Sequence, residues 1–562
     1  MKIYDNSNIA ESYSGVTTPL TYSFARAVYQ EVYVHFCGMM GVGRRTIAAN
    51  RPMFAKMVEF IGGRIYYDLI NWYRLVSFLP GYSFNRGFFE KMLGLQKEYH
   101  YTPPPPKGAF ERYFVVLPRL AFQTVKVALF FAFMGALVGR FNRRFDREYA
   151  RLSALDLPAL DLPECKALYF RVYDEFVARW QVPIANDFAV MVAAGAADKL
   201  YRAWLNEDGY VQLFSRSRRP LVSLDPGYRI LEIVSLIKGE PELLALFGAG
   251  RPEEILRELR GKFSASPAAA AVAAYLARFG SRVPSELKLE SKSINEQPEF
   301  FISILQATLA SASPREVYAG SADAAGGLAL WRRLVLSAVG GWAVNSVFRR
   351  EETRFRRSLI FGFSRRLFLA IADKFAARGL LRTREDIFYL TIEEVFALID
   401  GGPAEGLGAL LASRKTDYEL WKLADLPRRI ESQLPVEAIE TGLRGSAAAA
   451  PAARGVLKGV TAARARTATV AGVALVLPDF DPNADFAGKI LVTRQTDPGW
   501  TIIFPLLKGI VVERGGMLSH AAIVARELRI PCIVGVERAV AGVPQGAGVE
   551  LRLETGEVHV LN

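Results

Sequence analysis

Residues 510–536 read IVVERGGMLSHAAIVARELRIPCIVGV and contain one strand, one turn, one helix and a second strand. The β-branched start predicts a strand, and the pair Gly515-Gly516 permits a turn at unusual backbone angles. Ser519 is a good N-cap, and the helix that it opens must stop before Pro531. This stretch therefore predicts a strand–helix–strand unit within a small α/β domain.

His520 falls on the first turn of that helix. Free backbone N–H groups and the positive end of the helix dipole gather there, which makes a natural seat for a phosphate. A neutral imidazole nitrogen is a competent nucleophile toward phosphorus, and Arg514 or Arg526 could help to hold the resulting dianion. The same pattern also fits an ordinary surface histidine behind a glycine turn, and the local residues alone favour that interpretation slightly.

The sequence changes character near residue 455. After it, short β-rich runs alternate with glycines, at 489–493, 510–512, 532–536, 549–553 and 558–561, with one clear helix at 521–528. Before it, residues 444–455 (RGSAAAAPAARG) hold small residues, glycine and proline with no large apolar side chain, which is typical of an interdomain linker. We predict a multidomain chain: a large, mainly α-helical domain over 1–443, a linker over 444–455 and a small α/β domain over 456–562.

Helical periodicity dominates the first part of the chain. In residues 364–377, Leu367, Ile371 and Phe375 recur at a spacing of four, and Gly379 follows as a C-cap. Thr391 and the glutamate three residues later have the spacing of a capping box that opens another helix. Arginines are frequent between residues 354 and 366, and the favoured interpretation is a solvated basic helix face. They are Arg354, Arg356, Arg357, Arg365 and Arg366.

The composition of the chain limits the kinds of partner and of metal site that we expect. The 562 residues include 51% hydrophobic residues, which is enough for large buried cores, and the net charge of +13 suggests an anionic partner. No nucleic-acid-binding module accompanies the charge, so we expect no nucleic-acid partner. Three separated cysteines and four histidines form no metal spacing, and we predict no metal site. The cysteines (Cys37, Cys165 and Cys532) are expected to be core residues of a cytoplasmic protein.

One stretch, residues 127–139 (VALFFAFMGALVG), is strongly apolar. It is shorter than the ~20 residues that a spanning helix needs, and Lys126 and Arg140 flank it, so we predict a buried helix. Peripheral membrane contact is the less favoured alternative, because more arginines follow at once. The aromatic-rich residues 66–78 raise the same alternative, and ordinary core packing explains them equally well.

The run 515–528, GGMLSHAAIVAREL, followed by Ile530-Pro531, closely resembles the phosphohistidine signature of the PEP-utilising enzymes. Residues 488–498 (GKILVTRQTDP) are similar to the strand and Thr-Asp-Pro loop that precede this signature. The resemblance implies that His520 is the phosphocarrier of a swivel domain. It also implies a set of phosphate-supporting residues: Gly515, Gly516, Ser519, Arg526, Thr496 and Asp497. Leu518 stands where plant-type dikinases carry a regulatory threonine, so control at that residue is not expected.

The helical part resembles the middle domain of rifampicin phosphotransferase and PEP synthase-like proteins. The resemblance rests on the order of four segments: 8–24, 63–81, 279–289 and 384–395. In that arrangement the middle domain binds the phosphoryl acceptor, and Arg282, Glu286 and Arg354 are candidates for contacting it. A structural ion pair is the favoured alternative for Arg282 and Glu286. Ser281 replaces a histidine that relatives often have, which puts the identity of the acceptor in doubt.

Two family parts have no counterpart in the sequence: an ATP-grasp domain and a C-terminal PEP/pyruvate barrel. We therefore expect a separate ATP-grasp subunit to phosphorylate His520, with ATP and magnesium bound there and no cofactor bound by this chain. The chain would pass the phosphoryl group to a small-molecule acceptor held by the helical domain, as in a PEP synthase-type phosphotransferase. A non-catalytic phosphocarrier or regulatory protein is the alternative, since it would keep His520 without an acceptor pocket.

Overall fold

The computed structural model describes residues 2–79, 82, 101–102, 108–205, 225–281, 287–310, 328–424, 426–444, 455–464, 468–482, 484–517 and 519–561. Contacts between residues group the chain into two units. The first comprises Met1–Ala197 with Ser337–Ala448, and the second comprises Asp198–Leu336 with Ala449–Asn562. The predicted linker falls almost wholly outside the described residues, and the predicted boundaries at 443 and 456 stay predictions.

Helices make up most of the described chain before residue 445, as the periodicity predicts. They are α1 (Pro19–Met39), α2 (Arg44–Ala49), α3 (Arg51–Phe54), α4 (Leu69–Ser77), α5 (Leu117–Ser153), α6 (Leu162–Glu175), α7 (Gln181–Leu205), α8 (Asp225–Lys238), α9 (Pro241–Ala249), α10 (Pro252–Arg260), α11 (Pro267–Phe279), α12 (Pro298–Ala310), α13 (Leu330–Ala377), α14 (Ile392–Ile399), α15 (Leu407–Leu423) and α16 (Val436–Arg444). Two short ones follow in the C-terminal domain: α17 (His520–Glu527) and α18 (Ala539–Gly542).

The predicted helix ends are confirmed where capping residues mark them. Thr391 caps α14: its side chain accepts from Glu394 N at 3.3 Å while the Glu394 carboxylate accepts from Thr391 N at 2.8 Å. Helix α13 ends at Ala377, and Gly379 adopts a φ of +72°, a conformation that favours glycine after a helix. Local side-chain chemistry therefore sets these boundaries.

The first unit also contains a small antiparallel sheet that helical periodicity did not predict. Its strands are β1 (Lys2–Asp5), β2 (Val58–Ile61), β3 (Arg64–Asp68) and β4 (Arg429–Ser432), in the order β2-β3-β1-β4. Gly62 and Gly63, at φ +55° and +69°, make the two-residue turn between β2 and β3, and such turns need positive φ at both positions. Strands of four or five residues are too short to show a clear alternation.

The arginine run forms the predicted solvated face only in part, since Arg366 alone among the five is classed as exposed. Arg356 makes two hydrogen bonds to the carboxylate of Asp146 on α5, at 2.8 and 2.7 Å. Arg365 is only 2% exposed, and its guanidinium lies 4.9 Å from the ring centre of Phe388. Arg356 and Arg365 are therefore held by contacts within the first unit, where planar guanidinium groups can pair and stack.

We predicted a buried helix over 127–139, and this prediction is wrong because much of the helix surface is exposed. The segment lies within α5, where Phe131 packs between Phe188 and Trp342, but Leu129 and Phe133 stay exposed. Within the described ranges α5 alone is long and apolar enough to cross a membrane, and only 22% of its apolar window is buried. Residues 66–78 do follow the core-packing interpretation, since Tyr66 and Trp72 are buried.

The second unit combines helices α8 to α12 with a sheet of eight strands in the order β5-β12-β11-β7-β8-β9-β10-β6. The strands are β5 (Val456–Lys458), β6 (Val460–Ala463), β7 (Thr469–Val476), β8 (Ile490–Thr493), β9 (Gly509–Val512), β10 (Cys532–Val534), β11 (Gly548–Arg552) and β12 (Glu557–Leu561). The last five match the predicted strands, whereas β5, β6 and β7 were missed. The fold class, a large helical region followed by a small α/β domain, is confirmed.

The middle of this sheet is parallel and buried on its apolar face. Strands β7, β8, β9 and β10 run parallel to their neighbours in that order. Ile490, Val492, Val511 and Ile533 form the core beneath them together with Leu551 of β11. Parallel strands align their carboxyl ends at one edge of the sheet, and loops at that edge commonly carry functional groups.

The loop between β8 and β9 packs against the helices of the same unit. It forms two short 3-10 turns, Pro498–Ile502 and Phe504–Leu506, which contact α8 and α12 respectively. Phe480 joins the two parts, with its ring 5.6 Å from that of Phe300 on α12 and 5.1 Å from that of Trp500. An aromatic contact therefore ties the sheet to the helices.

All three cysteines are buried and free, as predicted for core residues. Burial raises the pKa of Cys37 and of Cys532 to about 12. Both thiols therefore stay protonated at neutral pH and are poor nucleophiles.

Candidate functional site

His520 lies at the carboxyl edge of the parallel sheet. The chain leaves β9 at Val512, passes through residues 513–519 and enters α17, whose first residue is His520. Helix α17 then leads to β10, which pairs in parallel with β9. The predicted strand–helix–strand unit is confirmed, and it puts the imidazole beside the loop that follows β8.

The helix end beneath His520 is capped as the sequence predicts. The Ser519 side chain accepts from Ala522 N at 3.4 Å, a kind of contact that stabilises a helix by about 1 kcal/mol. Gly515 adopts a φ of +111°, so the turn before the helix uses a backbone conformation that favours glycine. The first backbone N–H groups of α17 and the positive end of its dipole lie next to His520, and they would favour a bound phosphate.

The imidazole itself is enclosed. His520 is 3% exposed, its Nε2 lies 3.1 Å from Thr501 Oγ1, and its ring centre lies 6.1 Å from that of Phe504. When Thr501 donates this hydrogen bond, Nε2 carries a lone pair and Nδ1 carries the proton. His520 is thus not the surface histidine that the local sequence also allowed.

Two predicted supporting residues lie in the loop after β8. Thr496 is buried, and within the described ranges its Oγ1 has no hydrogen-bond partner. Asp497 accepts from Gly499 N at 2.8 Å and thereby caps the 3-10 turn that contains Thr501. Asp497 therefore positions the residue that contacts His520, a role that its place in the Thr-Asp-Pro loop could have indicated.

Arg526 is held by backbone oxygens. Its Nε donates to Ala462 O at 2.8 Å and its Nη2 donates to Met517 O at 2.7 Å. The side chain thus fixes the loop before α17 to β6, and it would have to release these carbonyls to bind a phosphate. Its part in holding phosphate stays a prediction, as do those of Gly515, Gly516 and Ser519.

Glu527 ends the same helix in a largely desolvated position. Burial raises the pKa of its carboxyl group to about 7, against a small opposing effect of Arg526. Its charge in turn contributes to a raised pKa of Tyr228 on α8, after the larger effect of burial. The C-terminal end of the His520 helix therefore carries an acid that titrates near neutral pH.

A second group of polar side chains converges inside the first unit, and it includes the predicted acceptor candidate Arg354. Arg354 Nη1 lies 3.8 Å from Glu351 Oε1, and the charges of Arg350, Arg354 and Arg357 all act on Asp187 of α7. Burial outweighs these arginines and raises the pKa of the Asp187 carboxyl group. A carboxyl group buried among several arginines is typical of a functional site.

Tyrosines surround this polar group. The hydroxyls of Tyr29 and Tyr67 are 3.3 Å apart, and the charge of Asp187 acts on Tyr29 and Tyr33. Within the described residues, Asp187 Oδ1 and Arg357 Nε are buried without a hydrogen-bond partner. Asp187 was not predicted from the sequence; its signal is the polar pair Asn186-Asp187 within an apolar stretch of the helix.

The other two predicted acceptor residues are not among those that the structure describes. Arg282 and Glu286 lie outside the described residues, as does Leu518. Within the described ranges, no group of three or more His, Cys, Asp or Glu side chains could hold a metal ion.

Comparison with known families matches both parts of the second unit. The model for the mobile domain of PEP-utilising enzymes matches residues 486–556, which contain β8 to β11 and His520. The model for the fourth domain of rifampicin phosphotransferase matches residues 184–335. No ATP-grasp match was found within the 562 residues.

Curated relatives extend the similarity over most of the chain. Rifampicin phosphotransferase of Bacillus cereus is 28% identical over 406 residues, covering 67% of this chain and 44% of that protein. An uncharacterized protein of Mycobacterium tuberculosis is 30% identical over 348 residues, or 61% of this chain and 36% of its own length. Prodigiosin synthesizing transferase PigC of Serratia marcescens is 26% identical over 451 residues, with shares of 76% and 49%.

The chain spans less than half the length of these relatives. Its mobile domain, its fourth-domain match and the position of His520 at the start of a capped helix agree with one another. Residues 486–556 match the mobile domain of PEP-utilising enzymes, and the chain is similar over most of its length to part of the rifampicin phosphotransferases.

Proposed function

We propose that His520 accepts a phosphoryl group and passes it to an acceptor bound by the polar group around Asp187. The observation that carries the proposal is the enclosure of His520 at the N-terminal end of α17, in the segment matched by the mobile-domain model. The chain would then work as a phosphotransferase of the PEP synthase and dikinase type.

The first transfer forms a phosphorus–nitrogen bond. Nε2 of His520 attacks phosphorus with its lone pair, and the bond from phosphorus to the donor's leaving oxygen breaks. The N–H groups at the start of α17 would hold the new dianion, which is favoured at that end of the helix dipole. Thr501 must give up its hydrogen bond to Nε2 before this attack.

The second transfer moves the phosphoryl group to a hydroxyl of the acceptor. The hydroxyl oxygen attacks phosphorus, the phosphorus–nitrogen bond breaks, and Asp187 takes the hydroxyl proton. Support for Asp187 as this base comes from its raised pKa and from the buried Oδ1, which has no hydrogen-bond partner in the described ranges. Arg354 and Arg357 would neutralise charge on the transferring group.

The nature of the acceptor follows from the side chains around Asp187. Tyr13, Tyr29, Tyr33 and Tyr67 supply flat apolar surfaces with hydroxyl edges, which suit an aromatic or otherwise apolar alcohol. The relatives carry the names of two different compounds, rifampicin and prodigiosin, so neither compound is assigned to this chain.

A separate ATP-grasp subunit would supply the phosphoryl group, with ATP and magnesium bound on that subunit. The support is the family resemblance, together with two family models that match this chain and no ATP-grasp match within it. Such a reaction would take place in the cytoplasm, where ATP is available.

Labelling with ATP tests the proposal directly. The chain is incubated with a candidate ATP-grasp protein and with ATP labelled at both the β- and γ-phosphates. We expect acid-labile label on the wild type and on His559→Ala, a control in the same domain whose histidine pairs with Glu557. We expect none on His520→Ala. Label that resists acid, or that persists on His520→Ala, would contradict the proposal.

The same experiment separates the enzyme from a non-catalytic phosphocarrier. A phosphorylated chain that transfers its label to small alcohols supports an acceptor site. A chain that keeps its label in the presence of every alcohol, and binds another protein only when phosphorylated, supports the carrier alternative.

A further inference from the structure

Helix α5 presents opposite faces to two environments. One face packs into the first unit through six buried residues: Gln123, Met134, Val138, Asn142, Phe145 and Leu152. Asn142 Nδ2 donates to Glu352 Oε2 of α13 at 3.0 Å, and the ring of Phe131 lies 5.6 Å from that of Trp342. These contacts fix the orientation of the helix and therefore determine which of its side chains face outward.

The outward face of α5 is apolar. Phe122, Val125, Leu129 and Phe133 recur three or four residues apart and are 60%, 60%, 54% and 62% exposed. Such a spacing places them in one stripe along the helix. Exposed aromatic residues also precede the stripe, at Phe110, Tyr113 and Phe114. A large exposed apolar patch on a folded protein commonly marks an interaction surface.

The same face becomes basic beyond Phe133. Arg140, Arg143 and Arg147 continue the stripe at the same spacing, and all three are exposed. Nearby acidic side chains already have partners. Asp146 pairs with Arg356 at 2.7 Å, and Glu148 lies 3.0 Å from Arg151 and 3.4 Å from Arg147. The outward face therefore joins an apolar stretch to a cationic end.

Length and hydropathy alone would allow α5 to cross a membrane. The packed face argues against crossing, because Gln123 and Asn142 are buried in polar contacts with the first unit. A helix with one face committed to its own protein can lie on a membrane surface but cannot be surrounded by lipid.

We propose that the outward face of α5 docks on an anionic lipid bilayer. Phe122, Val125, Leu129 and Phe133 enter the boundary between headgroups and acyl chains, and Arg140, Arg143 and Arg147 contact lipid phosphates. Aromatic and aliphatic residues on one face with basic residues beside them are typical of helices that lie in the membrane interface.

The charge distribution favours a bilayer over a second copy of the chain. A second copy carries the same net charge of +13, so two copies repel each other, whereas an anionic bilayer attracts the basic end of this face. The cores of protein interfaces are also depleted of charged residues, whereas a headgroup layer offers phosphates beside the apolar region.

Vesicle binding tests this inference with the full chain. Vesicles of equal parts phosphatidylcholine and phosphatidylglycerol are compared with vesicles of pure phosphatidylcholine in a flotation assay. We expect the wild type to bind the anionic vesicles. Replacing Phe122, Leu129 and Phe133 together by Ser should weaken that binding at least tenfold. Replacing Arg140, Arg143 and Arg147 by Gln should abolish the preference for anionic vesicles.

A matched control uses exposed leucines on another helix. Leu410→Ser with Leu420→Ser on α15 should leave binding unchanged, since these side chains are also exposed but lie away from the stripe in sequence. Circular dichroism must show that every variant folds as the wild type does. The inference is overturned when the wild type binds neither vesicle, or when light scattering shows a dimer that the triple serine variant dissociates.

Discussion

Thr501 Oγ1 lies 3.1 Å from Nε2 of His520 within a buried environment. This hydrogen bond occupies the ring nitrogen that the proposed transfer would phosphorylate. A net hydrogen bond contributes about 1 kcal/mol, which corresponds to roughly a fivefold change in a rate. Thr501 therefore sets a small barrier to phosphorylation in the enclosed state.

Thr501→Val should raise the rate of phosphorylation of His520, and Thr501→Ser should leave it near that of the wild type. Valine keeps the shape of threonine but cannot bind Nε2, so we expect roughly a fivefold increase. The rate is measured with phosphoramidate, a small chemical donor that needs no partner protein. A slower valine variant would show that the hydroxyl assists the transfer.

Asp187→Asn should stabilise the protein while it abolishes transfer to the acceptor. Burial raises the pKa of this carboxyl group, so its contribution to stability is present below the ordinary pKa and is lost as the pH rises through the raised value. Asparagine avoids the buried charge, and we expect a gain of about 1 to 3 kcal/mol at pH 8 by denaturant unfolding.

Asp198→Asn on the same helix is the control for that measurement. Asp198 pairs with Arg202 one turn away at 3.0 Å, so its loss should cost no more than about 0.5 kcal/mol. Equal effects of the two substitutions would show that Asp187 is an ordinary structural acid. Loss of phosphorylation at His520 in Asp187→Asn would also contradict its role in the second transfer alone.

Gly515→Ala should destabilise the mobile domain by about 1 to 3 kcal/mol, because Gly515 has a φ of +111° that alanine adopts only with strain. Gly516→Ala is the natural control. A Cβ at Gly516 would meet nothing within 4 Å, and its φ lies outside the left-handed region. Thermal unfolding of both variants checks the difference. Similar losses of stability in the two variants would show that the positive φ of Gly515 is not the reason for glycine at that position.

Glu527→Gln should change how stability depends on pH. Burial raises the pKa of Glu527 to about 7 from its ordinary value of 4.5, so folding is favoured by protonation. Its contribution is complete below about pH 4.5 and is lost as the pH rises through 7. We expect the glutamine variant to be more stable than the wild type at pH 8, by at most about 3 kcal/mol, and to match it at pH 4. Parallel stability curves from pH 4 to 8 would contradict the assignment.

Much of the C-terminal domain could be predicted because local residues set its boundaries. Ser519 caps α17, a proline follows that helix, and glycines separate β-branched runs, so strands β8 to β12 were found within one or two residues. Strand β7 was missed although it is the longest, since its alternation includes alanine and glycine at several positions. Its pairing with β8 and β11 is a tertiary effect.

Only part of the candidate site could be predicted from the sequence. His520 was found through a long, continuous motif, whereas Thr501 reaches it from a different loop and Asp187 belongs to an apolar helix. Arg354 was predicted, but the solvated basic face was predicted too broadly, because contacts between α5 and α13 engage part of it. Arg356 and its partner Asp146, for example, are 210 residues apart in the chain.

Because its native thiols are buried, the protein is suited to labelling at a single introduced cysteine. Cys37, Cys165 and Cys532 are all buried, and none presents a thiolate to reagents at neutral pH. A single cysteine introduced at an exposed position would therefore react alone with a fluorescent or spin label. Leu129→Cys would report the polarity around the outward face of α5, and Val473→Cys would report the motion of the sheet, each in an otherwise wild-type chain.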